Sequence, residues 1–211
     1  MPIIKIKDEL IHYAHIPKCG GHSIERYLKS ISKIDVGFSD WFFIQKPPKN
    51  PWNISSPQHI DGTSLSRLFP KSFFTNFVVV SRDPIKKLKS AYLFNKYIQK
   101  KISTEEKLNT FIEAKLIHNL KRNGWMDNHF MPQYMFLYPG AKYISFKIEE
   151  DGLKKIKAFF DNIIFGVSRP ESIEHSNETN YSGREEELTL TRTNFELIKG
   201  IYSEDFDLFK Y

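Results

Sequence analysis

Cysteine is almost absent from this chain. Cys19 is the only one in 211 residues, so no disulfide can close within the chain and a disulfide-stapled scaffold is excluded. That usage leans toward a reducing compartment. Long apolar runs are missing too. The opening stretch MPIIKIKDELIHYAHIPK breaks its hydrophobic residues with charges, so it reads neither as a signal peptide nor as a membrane anchor. A Walker loop, G-x-x-x-x-G-K-[ST], is absent, since no glycine is followed by lysine. Cysteine and histidine are nowhere spaced as metal ligands, and there are no repeats or low-complexity tracts.

What is present fits one domain over residues 1–211. Hydrophobic residues make up 40% of the chain and include 18 Phe, enough for a sizeable core. The net charge of +6 favours anionic partners: phosphorylated nucleotides, acidic glycans, nucleic acid or membrane surfaces. Lysine and arginine are spread along the chain without a nucleic-acid motif, so no nucleic-acid partner is expected.

Ile11 to Ile16 reads as a short buried strand, Gly20 and Gly21 as a turn, and SIERYLKSI as a helix. Gly37 to Ser66, centred on KPPKNPWN, reads as a long irregular excursion of the functional kind. Phe73 to Ser81 is continuous and β-branched, as in a central parallel strand covered on both faces. Pro84 opens a helix through roughly Tyr97, and Thr104 to Leu120 forms another. GAKYISFKIEE reads as a strand entering a helix from Glu149 to Phe160. NIIFGVS reads as a further short strand, and Thr189 to Phe209 as one closing amphipathic helix. Strands alternating with helices predict an α/β fold, a central parallel sheet with helices on both sides.

The stretch YAHIPKCGGHSI, Tyr13 to Ile24, joins a strand to a helix through a glycine pair. Such a loop points backbone N–H groups at one spot, where the helix dipole adds positive potential, and phosphate or sulfate fits there. Lys18 could reach a bridging or terminal oxygen; Ser23 could cap the helix or bond the anion. Lysine precedes the glycines here, unlike in a Walker loop. The segment HIPKCGGHSI resembles the 5′-phosphosulfate loop of sulfotransferases that use 3′-phosphoadenylyl sulfate (PAPS). The carbohydrate branch of that family has the pattern H-x-P-K-[TC]-G-G-[TS]-[ST]. His15, Pro17, Lys18, Cys19, Gly20, Gly21 and Ser23 match, and His22 stands where threonine is usual. The resemblance implies a donor loop over Pro17 to Ser23 on a three-layer P-loop-type fold.

A second constellation lies in VVVSRDPIKKLKSAY. Arg82 ends the strong strand, where ligands bind in open α/β sheets, and can fork two donors onto a phosphate. Ser90 follows two helical turns later. The bland alternative is a helix start with a solvated basic face of Lys86, Lys87 and Lys89. The segment resembles the same family's 3′-phosphate motif, R-[DN]-P-x-x-R-x-x-S-x-Y: Arg82, Asp83, Pro84, Ser90 and Tyr92 match, and Lys87 replaces a frequent arginine. The tail, HSNETNYSGR followed by a helix ending YSEDFDLFKY, resembles the family's closing loop and last helix. That likeness implies a contact of Thr179 with the 3′-phosphate side.

Sulfuryl transfer needs alignment, a donor to the oxygen between phosphorus and sulfur, N–H groups on the sulfuryl oxygens, and a base for the acceptor's proton. Lys18 and the loop suit the first needs. Histidine suits the last, because its pKa lies near neutrality. His59 lies in the excursion between the two motifs, an interval where the resembled family often carries its base; Asp61 is the alternative. His129 and Gln133, in HFMPQ, are acceptor-side or structural groups. His15 is structural. The resemblance implies PAPS as donor, its 3′-phosphoadenosine 5′-phosphate (PAP) as product, no metal, and an acceptor hydroxyl on a saccharide, with Trp41, Trp52 and Trp125 available for ring stacking. The lack of a long apolar run predicts no stable membrane insertion. A complete chain is expected in the cytoplasm, and a catalytic domain cut from a longer one in the Golgi lumen. Two other functions fit the residues less well: a P-loop nucleotide or small-molecule kinase, and a non-catalytic polyanion-binding module on the same fold.

Overall fold

The computed structural model describes residues 3–31, 34–40, 42–43, 45–46, 49–170, 173 and 183–211. Trp41, His175 and Thr179 lie outside the described residues, and the expectation for Thr179 with them.

The chain begins with a hairpin. Strand β1 (Ile3–Ile6) pairs antiparallel with β2 (Glu9–Ala14), Ile3 opposite His12 and Ile6 opposite Glu9. Helix α1 (Gly21–Ser30) follows, then β3 (Ile34–Gly37), which pairs antiparallel with β1. Helix α2 (Gly62–Leu68) precedes β4 (Asn76–Ser81), which lies parallel to β2. Helix α3 (Pro84–Leu93) runs on into a π-helical turn, Phe94–Ile98. A bent rod comes next: α4 (Leu108–Phe111), a second π-helical turn (Ile112–Leu116) and α5 (Ile117–Asn119). Strand β5 (Ile144–Lys147) is parallel to β4, and α6 (Gly152–Phe165), α7 (Arg192–Ile201) and α8 (Ser203–Phe209) complete the chain.

The sheet order is β3-β1-β2-β4-β5. Only β1 runs against the other four, so the sheet is mostly parallel and the all-parallel expectation is corrected. The reversal comes from the tight turn at Lys7 and Asp8, which folds β1 back against β2 with Ile6 opposite Glu9 and Lys7 at φ 53°. Side-chain alternation along β4 divides the core. Val78 and Val80 face Ile24 and Leu28 of α1 and Ile156 and Phe160 of α6. Val79 faces Met131, Phe136 and Phe209, and Phe77 faces Leu65 of α2 and Tyr138. Helical material therefore covers both faces. A separate helical core joins Leu88 and Tyr92 to Phe111, Leu116 and Ile198.

Several boundaries differ from the sequence reading. The expected strand NIIFGVS belongs to α6 and the residues just after it. Ile163 and Ile164 pack on the sheet core from the last turn, which closes at Gly166 with φ 77°. A short apolar run suits a helix face as well as a strand. Within the supposedly irregular excursion, α2 forms because Asp61 caps it, accepting from Ser64 N at 2.9 Å. The helix expected from Glu149 starts at Gly152, where a Cβ would stand 2.4 Å from the Lys147 carbonyl oxygen. The closing helix is two, broken at Tyr202, whose hydroxyl donates to Phe130 O at 2.6 Å.

Candidate functional site

β2 and β4 are adjacent and parallel, so their C-terminal ends deliver the 15–20 loop and Arg82 to one edge of the sheet. The loop turns through left-handed backbone at Lys18 (φ 68°) and Gly20 (φ 76°). Gly20 is the N-cap of α1, and no side chain caps that end. Ser23 does not cap the helix; it is buried, and its N–H donates to Gly20 O at 3.1 Å. Gly21 must be glycine, because a Cβ there would lie 2.0 Å from His15 Nε2. The His15 ring thus packs directly on the helix start, and burial pushes its pKa well below the usual histidine range. The half-buried His22 follows in the first turn, with its pKa lowered by burial. Pro17 is buried in the same loop.

The two motifs are tied together. Arg82 Nη1 donates to Lys18 O at 3.1 Å. Gln133, fully buried, accepts from Arg82 N at 3.0 Å and donates to Arg82 O at 2.8 Å. The same Gln133 oxygen faces Cys19 Sγ at 3.5 Å. Burial pushes the Cys19 thiol up to about 12, so it is a neutral packing group. Lys18 Nζ sits 4.1 Å from the Phe94 ring centroid. Burial, then the Arg82 charge, lowers its pKa to about 8. Lys87 does not join a solvated basic face. It is buried and donates to the carbonyls of His129 (3.0 Å) and Met131 (2.9 Å), bracing that loop. Ser90 is buried on the same helix.

Beside the start of α1 stand three imidazoles. The rings of His15 and His59 meet edge to face at 5.1 Å, and those of His59 and His129 at 5.3 Å. His59 Nδ1 lies 2.7 Å from Asp127 Oδ2. Asp127 is held in turn by Ser56 N at 2.7 Å and Ser56 Oγ at 2.9 Å. Burial alone would raise its pKa, but the His59 partner and these donors hold the carboxyl at about 2. Three successive non-glycine residues, Met126, Asp127 and Asn128, have positive φ of 45°, 54° and 61°. Such strain persists only where the surroundings over-determine it, often at functional sites. Here Asn128 Nδ2 bonds His59 O at 2.9 Å, and Asn128 Oδ1 accepts from Gly124 N at 2.7 Å.

Asn95 Nδ2 reaches His129 Nδ1 at 3.2 Å and Ala91 O at 2.8 Å. The π-helical turn after α3 carries both Phe94 and Asn95, so this widened turn aims two groups at the site. His59, Asp127 and His129 offer ligand atoms all within 4.8 Å of one another, close enough to hold a cation. Both Nδ1 atoms are already engaged, one by Asp127 and the other by Asn95, so hydrogen bonds account for the trio as it stands.

Sequence reasoning named His59 and His129 but missed Asp127 and Asn95. The polar triplet Asp127–His129 between WM and FMPQYMF was the available signal. Asp61 uses both oxygens structurally, one capping α2 and the other accepting from Asn123 Nδ2 at 2.9 Å. Trp125 stacks on Phe111 at 6.0 Å and 10° in the helical core, whereas Trp52 is half exposed, edge-on to Phe38. Among the described residues no helix is long and apolar enough to cross a membrane.

No curated protein and no solved structure matches this chain. A model described as the sulfotransferase family matches residues 2–211. That match spans both ends of the sheet and every residue of the loop, the strand end and the histidine cluster described above, and the chain accordingly belongs to the sulfotransferase family.

Proposed function

We propose that this chain transfers a sulfuryl group from PAPS to a hydroxyl of a saccharide, with His59 as general base. The carrying observation is a histidine with one nitrogen held by a buried carboxylate, next to a helix N-terminus without a side-chain cap and a half-buried lysine. The strand–loop–helix entry and two-sided helix cover fit a P-loop-type fold. In this reading the Pro17–Ser23 loop binds the 5′-phosphosulfate, and Arg82 and Ser90 bind the 3′-phosphate. Thr179 is assigned there by its resemblance alone. The acceptor oxygen forms a bond to sulfur as the sulfur–oxygen bond of the phosphosulfate breaks. Its proton passes to His59, and Lys18 donates to the departing phosphate oxygen. The excess of basic residues and the exposed Trp52 ring suit a saccharide, particularly an anionic one.

A thermal shift tests the donor assignment. PAP at about 100 times its Kd would stabilise the protein by about 2.7 kcal/mol, while ADP and ATP–Mg²⁺ at equal concentration would give little. A shift with ATP–Mg²⁺ alone would replace this reading with the kinase, and no shift with any of them would favour a binding module without turnover.

A further inference from the structure

The two histidines at the site are held by opposite kinds of partner. Asp127 is a carboxylate kept ionised, and it can only accept from His59 Nδ1 at 2.7 Å. A proton of His59 therefore sits on Nδ1, so that in the neutral ring it is Nε2 that carries the lone pair. No hydrogen bond from a described residue reaches that Nε2. Asn95 presents its amide nitrogen to His129 Nδ1, and the bond of that nitrogen to Ala91 O fixes which way the amide lies. An amide nitrogen only donates, so His129 Nδ1 holds the lone pair and its proton sits on Nε2. Burial keeps His129 neutral by pushing its pKa well below the usual range.

We propose that Asp127 and Asn95 are positioning residues that set His59 and His129 in opposite tautomers. This makes His59 the base and bars His129 from that role, leaving His129 as a neutral N–H donor. The proposal rests on the sulfuryl-transfer reading for its catalytic half; its tautomeric half stands on the hydrogen bonds alone. Asp127 does not touch the reacting atoms. It holds the imidazole so that Nε2 is free, and it stabilises the imidazolium that forms as the acceptor proton arrives. The strained 126–128 turn and the two Ser56 bonds hold the carboxylate in register.

Asp127→Asn is nearly isosteric and predicts a specific failure. Ser56 N would keep the amide oxygen at the Oδ1 position, 2.7 Å away, and so place the NH₂ against His59. His59 Nδ1 would then have to accept, and the proton would move to Nε2, where a base needs its lone pair.

The test is imidazole ¹⁵N NMR on the whole chain, then kinetics. In the wild-type protein near pH 7.5, His59 should show a protonated Nδ1 and His129 a protonated Nε2. In Asp127→Asn, His59 should switch to a protonated Nε2 while His129 stays unchanged. With PAPS and acceptor, kcat should fall roughly 10²- to 10⁴-fold, with KM and PAP affinity within about threefold of wild type. The same tautomer on both wild-type histidines would overturn the proposal without any variant. So would a switched tautomer with kcat unchanged, or a loss confined to KM. The tautomers are read without substrate, so failure there falls on this proposal alone; a wild-type chain that binds no PAP would instead fail the proposed function.

Discussion

Lys18 shows how far a single side chain can be read from its neighbours. It stands next to a left-handed loop, over the Phe94 ring, with Arg82 bonded to its own carbonyl. Burial and that arginine lower its pKa to about 8 in the free protein. A bound anion favours the charged form, so the complex titrates at higher pH than the free protein. On the proposed function, PAP affinity should therefore be full well below pH 8 and weaken up to about tenfold per pH unit as the pH rises above it. Lys18→Gln should bind more weakly and lose most of that slope, as isothermal titration between pH 6.5 and 9.5 would show. A flat wild-type profile would remove Lys18 from the donor site. The turn at Gly20 and Gly21 was legible in the sequence because local backbone sets it. Asp127 was not, because its partner His59 lies 68 residues away.

Among the elements, the clamp from the C-terminal helix to the 15–20 loop carries the clearest consequence. Asp205 of α8 accepts from Gln133 N at 2.8 Å and Tyr134 N at 2.9 Å. Gln133 in turn holds Arg82 and Cys19. Asp205→Ala would leave a buried and a half-buried N–H group without acceptors, at a cost of about 1–3 kcal/mol in urea unfolding. It should also weaken PAP binding, because the clamp loosens; unchanged affinity in a destabilised variant would show that the loop stands without Gln133. Element type was legible where the pattern was long, as in β4 and α3. It failed at NIIFGVS, where the apolar run was too short to separate strand from helix. The π-helical turn that presents Phe94 and Asn95 has no local sequence signal, since it depends on what packs against the end of α3.

At the scale of the whole molecule, buried neutral histidines make the fold acid-sensitive. Burial lowers His12 to about 3, and pushes His15 and His129 well below their usual range. Each binds its proton more readily unfolded than folded, so stability falls as pH drops below about 6.5 and goes on falling toward 3 for His12. Each adds a slope of up to about 1.4 kcal/mol per pH unit in that window. The urea midpoint should be clearly lower at pH 5.5 than at 7.5. Equal midpoints would show that these rings are not kept neutral. The helical cover on both sheet faces was legible from the alternation of strands and helices. The reversed β1 was not, because its four residues carry too little pattern to show a direction.

The sequence by itself determined the local matters: the strand–loop–helix entry, the arginine at the strand end, the order of the main elements and the family they point to. Each of these depends on residues close along the chain, where backbone geometry and spacing do the selecting. Only the tertiary structure decided which groups meet. It brought Asp127 onto His59, Asn95 onto His129 and Gln133 between Arg82 and Cys19. It also turned Lys87 inward and gave Asp61 to a helix cap. Those outcomes rest on contacts between distant segments and on burial, which composition and spacing do not encode.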